Sequence, residues 1–207
     1  MSIHWRTVVT GFSGILLAAC VSTSPTSSGT GSWVLSSNSM GPVSLGMTVA
    51  DAKSALGSGY RITSPSDAPI LVIDSAHRVQ GPNGQNWLEL IMTEPLSPNA
   101  TGNHIATLRT TYSGLPTAAG VAPGMTIEDA VAIYGRATLE IPSEEGFGGE
   151  WVSFANGPAG LRFEAAGPGS NAPSQTRAGE YPPGLFRSKN YKQGSRIHAV
   201  VIGRSFP

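Results

Sequence analysis

A twelve-residue motif occurs twice in the chain and constrains its fold more than any other feature. Residues 46–57 read GMTVADAKSALG, and residues 124–135 read GMTIEDAVAIYG. In each copy a threonine stands at the expected N-cap of a helix, an aspartate follows three residues later, and a glycine closes the segment. The threonine and aspartate pairs are Thr48 with Asp51 and Thr126 with Asp129. Each copy therefore predicts a short helix whose start and stop are both encoded locally.

Runs of residues with strand-like character follow each copy of the motif. The runs are 60–63, 70–74, 87–93 and 104–112 after the first copy, and 136–141, 150–155, 161–166 and 196–203 after the second. In the run 161–166, Leu161 and Phe163 share one face, while Arg162 and Glu164 point the other way. A helix this short is marginal alone and needs a surface to pack on. The pattern predicts an α+β fold of two tandem units, each with one short helix packed on an antiparallel sheet of about four strands.

The first twenty residues resemble the signal of a bacterial lipoprotein. Arg6 precedes an apolar stretch that is shorter than the about 20 apolar residues a spanning helix needs. The stretch ends in Leu17-Ala18-Ala19-Cys20, and Cys20 is the only cysteine of the chain. This sequence resembles a lipobox, which implies cleavage before Cys20 and acylation of its sulfur and amino group with chains such as palmitate. An ordinary secretory signal is the alternative interpretation.

Acylation would hold the protein at a membrane, because two or more acyl chains give essentially permanent anchoring. Val21 is not an aspartate, which by the same resemblance implies transport to an outer membrane, with the protein facing the periplasm. With Cys20 acylated the chain has no free thiol, so its stability must come from a hydrophobic core.

These features divide the chain into four predicted parts. They are a signal peptide at 1–19, a Ser/Thr-rich tether at 20–40, a first repeat at 41–120, and a second repeat at 121–207 that carries an insertion at 167–195. The insertion is rich in glycine, proline and serine, and a connection of that length is usually either functional or disordered.

The repeated helix motif, followed by a meander of strands, resembles a structural family found in secreted bacterial proteins. It is similar to the repeat of the secreted β-lactamase-inhibitor protein family, and to the single copy in the small lipoprotein of the outer-membrane β-barrel assembly machine. Members of this group bind other proteins through the sheet and its loops. The resemblance implies a protein-binding envelope module, of the assembly or inhibitor kind, but it carries over no binding residue because neither family's contact residues have a match in this chain.

The chain offers little for catalysis or metal binding. Outside the predicted signal peptide it has no G-x-S-x-G, phosphate-loop, dinucleotide-binding or H-E-x-x-H motif. His77, His104 and His198 have no spacing that supplies a third metal ligand. The 13 basic and 13 acidic residues balance, which gives no electrostatic sign of a nucleic-acid partner. We therefore expect no enzyme activity, no cofactor, no metal and no nucleic-acid partner.

An acidic loop is the strongest argument for the rival hypothesis of an enzyme. Glu144, Glu145 and Glu150 surround Phe147, and paired carboxylates can act as general acid and base. A solvated turn explains the same residues without any chemistry. A third hypothesis is an envelope component that binds a glycan or a lipid ligand without catalysis.

The insertion contains the candidate residues for contact with a partner, which are Tyr181, Phe186, Arg187 and Tyr191. Aromatic residues and arginine are enriched at protein-binding hot spots. The same rings could instead fold back over the second sheet as a lid. Between Arg177 and Arg204 six bases face one acid, Glu180. These bases either dock on anionic lipid head groups or an acidic partner, or are compensated by the acidic residues that precede them.

Overall fold

The computed structural model describes residues 33–63, 76–92, 104–142, 149–170 and 176–203. The predicted signal peptide, Cys20, the predicted strand at 70–74, and Glu144 and Glu145 lie outside the described residues. The described chain contains two helices, α1 (Val49–Leu56) and α2 (Ile127–Tyr134). Its strands are, in chain order, β1 (Ser39–Met40), β2 (Val43–Ser44), β3 (Arg61–Thr63), β4 (Ala76–Gln80), β5 (Asn86–Met92), β6 (Ile105–Thr110), β7 (Ala137–Glu140), β8 (Glu150–Phe154), β9 (Leu161–Ala166), β10 (Arg187–Ser188) and β11 (Arg196–Gly203).

Both copies of the repeated motif form helices, and their threonines are the N-caps. Thr48 Oγ1 accepts a hydrogen bond from the Asp51 N–H at 3.1 Å, and Asp51 Oδ2 accepts one from the Thr48 N–H at 3.1 Å. In α2, Thr126 Oγ1 accepts from the Asp129 N–H at 3.1 Å. Glycines with positive φ end both helices, as the sequence predicts. Neither helix is long and apolar enough to cross a bilayer.

One antiparallel sheet of nine strands dominates the described part of the chain, in the order β10-β7-β8-β9-β11-β6-β5-β4-β3. The predicted α+β fold of two helix-on-sheet units is therefore wrong, and the protein is mostly β. The difference arises because β6 and β11, the last strands of the two predicted units, pair with each other. Val200 lies opposite Thr110, and Gly203 lies opposite Thr107. In two separate sheets, β6 and β11 would each be an edge strand with unpaired backbone N–H and C=O groups. Because the two strands pair with each other, neither is an edge strand.

The predicted strand runs that fall on described residues coincide with observed strands to within two residues at each end. Strand β4, with the sequence AHRVQ, was not predicted. It lacks a clean alternation, since only Val79 is fully buried. The short strands β1, β2 and β10 were not predicted either.

The hydrophobic core lies on one face of the sheet. Both helices contribute to the same buried cluster, α1 through Ala52 and α2 through Ile127 and Ala130. The β1–β2 hairpin adds Met40 and Val43 to it. Leu35 is buried too, although the sequence placed it in the predicted tether. The buried residues of the described chain therefore begin inside the predicted tether.

The repeat is visible as matching contacts within the one sheet. The Gly46 N–H donates to Ile105 O at 2.8 Å, and the Gly124 N–H donates to Ile197 O at 2.7 Å. The residue before each isoleucine returns a side-chain bond to the glycine carbonyl, from His104 Nδ1 in one case and Arg196 Nη1 in the other, both at 2.8 Å. Each copy of the motif is thus bonded to the first residues of β6 or β11.

Candidate protein-binding face

The face of the sheet opposite the helices carries a connected set of charged and aromatic side chains. Alternation along β9 turns Arg162 and Glu164 away from the core side chains of the same strand. Ala199 and Val201 lie beside them on β11 and are buried, yet they are not part of the core cluster. Both helices pack on the other side. We call this second side the open face, and its members are Glu89, Arg109, Glu140, Trp151, Arg162, Glu164, Arg187, Ala199 and Val201.

An arginine with two carboxylate partners forms the centre of the open face. Arg109 Nε and Nη2 donate to the two oxygens of Glu164 at 2.9 and 2.8 Å, and its Nη1 donates to Glu89 at 2.8 Å. The side chains of Arg109, Glu164 and Glu89 are 19, 11 and 31% exposed. The two-pronged bond fixes the geometry of Arg109 and Glu164, and the single bond holds Glu89 beside them.

The pair of Arg109 and Glu164 bridges the junction between the two halves of the sheet. Arg109 lies on β6 and Glu164 on β9, and β11 runs between them. Ala199 is opposite Glu164 in the register and is fully buried, so the small side chain leaves room for the bridge. Burial by itself lowers the pKa of Arg109, but the bonds and charges of Glu164 and Glu89 outweigh it and raise that pKa above its usual value.

Beside this network an arginine is stacked on a tryptophan. The guanidinium carbon of Arg162 lies 4.0 Å from the centre of the Trp151 ring, a distance typical of a cation–π contact. Trp151 is opposite Glu164 on one side and Glu140 on the other. Among the described residues, Arg162 has no ion pair with a carboxylate. The stack therefore presents an accessible ring next to an uncompensated cation.

His198 lies in a β-bulge of β11 on the edge of this network. The register between β9 and β11 shifts between Ile197 and Ala199, which leaves His198 as the extra residue. Burial lowers the pKa of His198, and Arg109 lowers it further, while Glu164 and Glu89 oppose the change. The imidazole is therefore held towards its neutral form beside the Arg109 network.

The four candidate contact residues of the insertion separate into two pairs. Tyr181 and Tyr191 are half-buried and pack against the core cluster, as a lid would. Phe186 and Arg187 are exposed. Arg187 is opposite Glu140 in the register and pairs with it at 2.9 Å, which places Arg187 at the edge of the open face. The structure thus brings Arg187 together with Trp151 in one cross-strand row.

A buried carboxylate that the sequence placed in a solvated turn holds the insertion in place. Glu150 is 2% exposed and faces the core side, opposite Ala165. It accepts hydrogen bonds from the Ala178 N–H, the Gly179 N–H and the Tyr181 hydroxyl. Burial and the neighbouring Glu150 carboxylate raise the pKa of Tyr181. All three donors are directed at Glu150, so its role is to position the chain around residues 178–181.

A cleft of about 490 Å³ lies at the other end of the sheet, away from β10. It is lined by Ser58, Gly59, Tyr60, Arg61, Gln80, Gly81, Pro82 and Gly84. Behind it, the rings of Trp33, Tyr60, Trp87 and Tyr112 form a connected cluster with centroid distances of 4.6 to 5.2 Å. Trp87 Nε1 and Gln85 Oε1 are buried there, and neither has a hydrogen-bond partner among the residues that the structure describes.

The histidines considered as metal ligands do not converge. His104 bonds to Gly46 O, His198 lies beside Arg109, and His77 is opposite Leu90 in the β4–β5 pair. Within the described ranges, no three His, Cys, Asp or Glu side chains are close enough together to hold a metal ion.

Comparison with known proteins found no matching family model, no similar curated protein and no similar solved structure. The resemblances to a lipoprotein signal and to the inhibitor and assembly proteins therefore stay predictions from the sequence. Of the open face, sequence reasoning singled out Arg187 and noted the outward direction of Arg162 and Glu164. It missed Arg109, Glu89 and Trp151, whose only signal was their alternation with buried neighbours.

Proposed function

We propose that this protein is a lipid-anchored component of the bacterial envelope that binds another protein through its open face. The observation that carries the proposal is the stack of Arg162 on Trp151, which lies beside the hydrogen-bonded ion pair of Arg109 and Glu164. Tryptophan and arginine are the residue types most enriched at binding hot spots. Side chains that are already held in place lose less freedom when a partner binds.

The anchor in this proposal is Cys20, acylated after removal of residues 1–19, with the protein at the outer membrane facing the periplasm. Mass spectrometry of the intact protein checks it directly, since acylation adds the mass of the lipid chains to a peptide that begins at Cys20. A mature N-terminus elsewhere, or an unmodified Cys20, would remove the anchor from the proposal while leaving the open face untouched.

Photocrosslinking in cells tests the binding face. A photoreactive amino acid at Ser153, which is exposed and two residues from Trp151 on the same face, preserves the Trp151–Arg162 stack. We expect a crosslinked product of one discrete mass, reduced about thirtyfold by Arg162→Ala, since truncation of a hot-spot residue costs about 2 kcal/mol. The matched control is the same amino acid at Ile133, which is 42% exposed on α2.

If positions 153 and 133 gave the same set of products, or if Arg162→Ala left the product at 153 unchanged, the open face would not be the binding surface. No catalytic role is assigned to the protein in this proposal.

The second candidate function is binding of a glycan in the cleft beside the aromatic cluster. Tyr60 offers a ring, and Arg61 and Gln80 offer polar groups, which is the mixture that small-ligand sites use. Titration with N-acetylglucosamine oligosaccharides, followed by tryptophan fluorescence, tests it. Saturable binding that Tyr60→Ala abolishes would favour this function over the open face.

A further inference from the structure

The insertion carries the most exposed large apolar side chains in the described part of the chain. Leu185 and Phe186 are adjacent, and each is 57% exposed. The other exposed large apolar residues, Val34 and Ile133, are 40 and 42% exposed and stand singly. All residues from 182 to 187 are exposed, and we call this segment the insertion tip. Contact of this apolar pair with a partner or a surface would therefore remove exposed apolar area from water, which favours binding at the tip.

The insertion tip is a preformed turn with a firmly held base. The Leu185 N–H donates to Pro182 O at 3.0 Å, and Gly184 has a positive φ of 76°. Below the tip, the Ile141 N–H donates to Phe186 O at 2.8 Å. Ser188 is buried, and its hydroxyl lies within hydrogen-bond distance of Glu180 O and Asn190 O. The backbone that carries the two apolar side chains is thus already held in place, which lowers the ordering cost at the time of contact.

Positive charges accompany the apolar pair. Arg187, Lys189 and Lys192 come within six residues after Phe186 in the chain, and Arg187 is paired with the exposed Glu140. Neither Lys189 nor Lys192 has an ion pair among the residues that the structure describes. An apolar group next to unpaired lysines matches an anionic lipid surface, where the apolar part enters the boundary of the acyl chains and the cations remain at the head groups. A protein hot spot would instead require a complementary pocket on the partner for each of the two side chains.

We propose that the insertion tip is a second membrane contact, which inserts Leu185 and Phe186 into the head-group boundary of an anionic bilayer. The inference rests on the membrane anchoring in the proposed function. It adds the orientation of the sheet relative to the bilayer. Edge strand β10 then lies next to the bilayer, because its first residue, Arg187, is the last residue of the tip.

The lone cysteine makes the test specific. When Cys20 is acylated, the wild-type chain takes up no thiol label, so a cysteine at 185 is the only labelled position. The full acylated Leu185→Cys protein, carrying an environment-sensitive fluorophore, is reconstituted into vesicles of phosphatidylcholine with or without phosphatidylglycerol. With phosphatidylglycerol we expect a blue-shifted emission that is quenched by nitroxide-labelled lipid. The matched control is Ile133→Cys, which we expect to remain water-exposed in both vesicles.

Removing the lysine charges separates lipid binding from other causes. Lys189→Gln and Lys192→Gln should each lower the ratio of inserted to water-exposed label about fivefold, because a lysine near an anionic surface contributes about 1 kcal/mol. Label at 185 that stays as water-exposed as label at 133 would overturn the inference. So would a shift that appears only when envelope proteins are added, since the tip would then contact a protein.

Failure of the anchor would be recognised separately. Wild-type protein that takes up thiol label has a free Cys20, which contradicts the anchor in the proposed function. The tip is then tested by flotation of the unlabelled full chain with the same anionic vesicles. Loss of flotation in the Leu185→Ser, Phe186→Ser double variant supports the tip, and equal flotation of the variant and the wild type rejects it.

Discussion

Arg109 on β6 and Glu164 on β9 are joined by two hydrogen bonds of 2.9 and 2.8 Å that pass across the strand between them. Arg109→Ala would leave Glu164 and Glu89 without a counter-charge in a half-buried place. We expect the free energy of unfolding to fall by about 3 kcal/mol, because breaking a buried pair leaves an uncompensated charge. Urea unfolding at neutral pH measures this loss.

The control for this change is the exposed pair of Arg187 and Glu140. Its side chains are 72 and 48% exposed, and exposed pairs contribute less than about 1 kcal/mol. Arg187→Ala should therefore shift the urea midpoint much less than Arg109→Ala. Equal shifts would contradict the stabilising role given to the cross-strand bridge.

The capped start of α2 should contribute measurably to stability. Thr126→Ala combined with Asp129→Ala removes both sides of the bond at the N-cap. We expect a loss of about 1 kcal/mol, which lowers the melting temperature by about 3 °C in a chain of this size. The matched control is Glu128→Ala, an exposed acid in the same turn of the helix. A double variant with the melting temperature of the wild type would contradict the capping argument.

Gly81 is required by the close approach of Trp87. A Cβ added at Gly81 would lie 2.1 Å from Trp87 Nε1, whereas one at Gly59 meets nothing nearer than 3.8 Å. Gly81→Ala should therefore displace the indole and cost about 1–3 kcal/mol, as overpacking does. Tryptophan fluorescence and thermal unfolding report the two effects. Gly59→Ala is the control, and an equal response of both variants would show that the indole contact is not the cause.

His198 should make the stability depend on pH in the mildly acidic range. Its folded-state pKa lies below its ordinary value of 6.5, because of burial and of Arg109. At acidic pH the unfolded chain therefore binds a proton at His198 more readily than the folded chain does. The contribution of neutral His198 to the free energy of unfolding is complete above pH 6.5 and is lost as the pH falls through the folded-state pKa. Urea unfolding at several pH values should show a smaller acid loss in His198→Gln than in the wild type. Gln193→Ala, at an exposed position that carries no titratable group, is the control and should keep the wild-type slope.

Local signals were sufficient to predict the helices and most of the strands. The caps at Thr48 and Thr126 and the closing glycines act within a few residues, so they can be found in the sequence alone. Alternation in β9 correctly separated Phe163 from Arg162. Strand β4 was not predicted because it has a single buried residue, Val79, and the polar His77 and Arg78 before it hide any alternation of apolar and polar side chains.

The fold class was wrong because its decisive contact is not local. Nothing in the sequence of either strand shows that β6 and β11 pair with each other rather than ending two separate sheets. The candidate site was missed for the same reason, since Arg109 and Glu164 come together only through that pairing. Glu150 was placed in a solvated turn because its donors belong to residues 178–181, far along the chain.

The central place of β11 has a consequence for how the chain can fold. This strand follows every other described strand in sequence, yet it lies between β9 and β6. Until it arrives, both neighbours present bare edges that invite pairing with other chains. Contacts between such distant segments also form slowly. A polypeptide that emerges N-terminus first from a ribosome or a secretion channel cannot close the sheet until β11 has emerged, and a holding chaperone would be most useful to it in that interval.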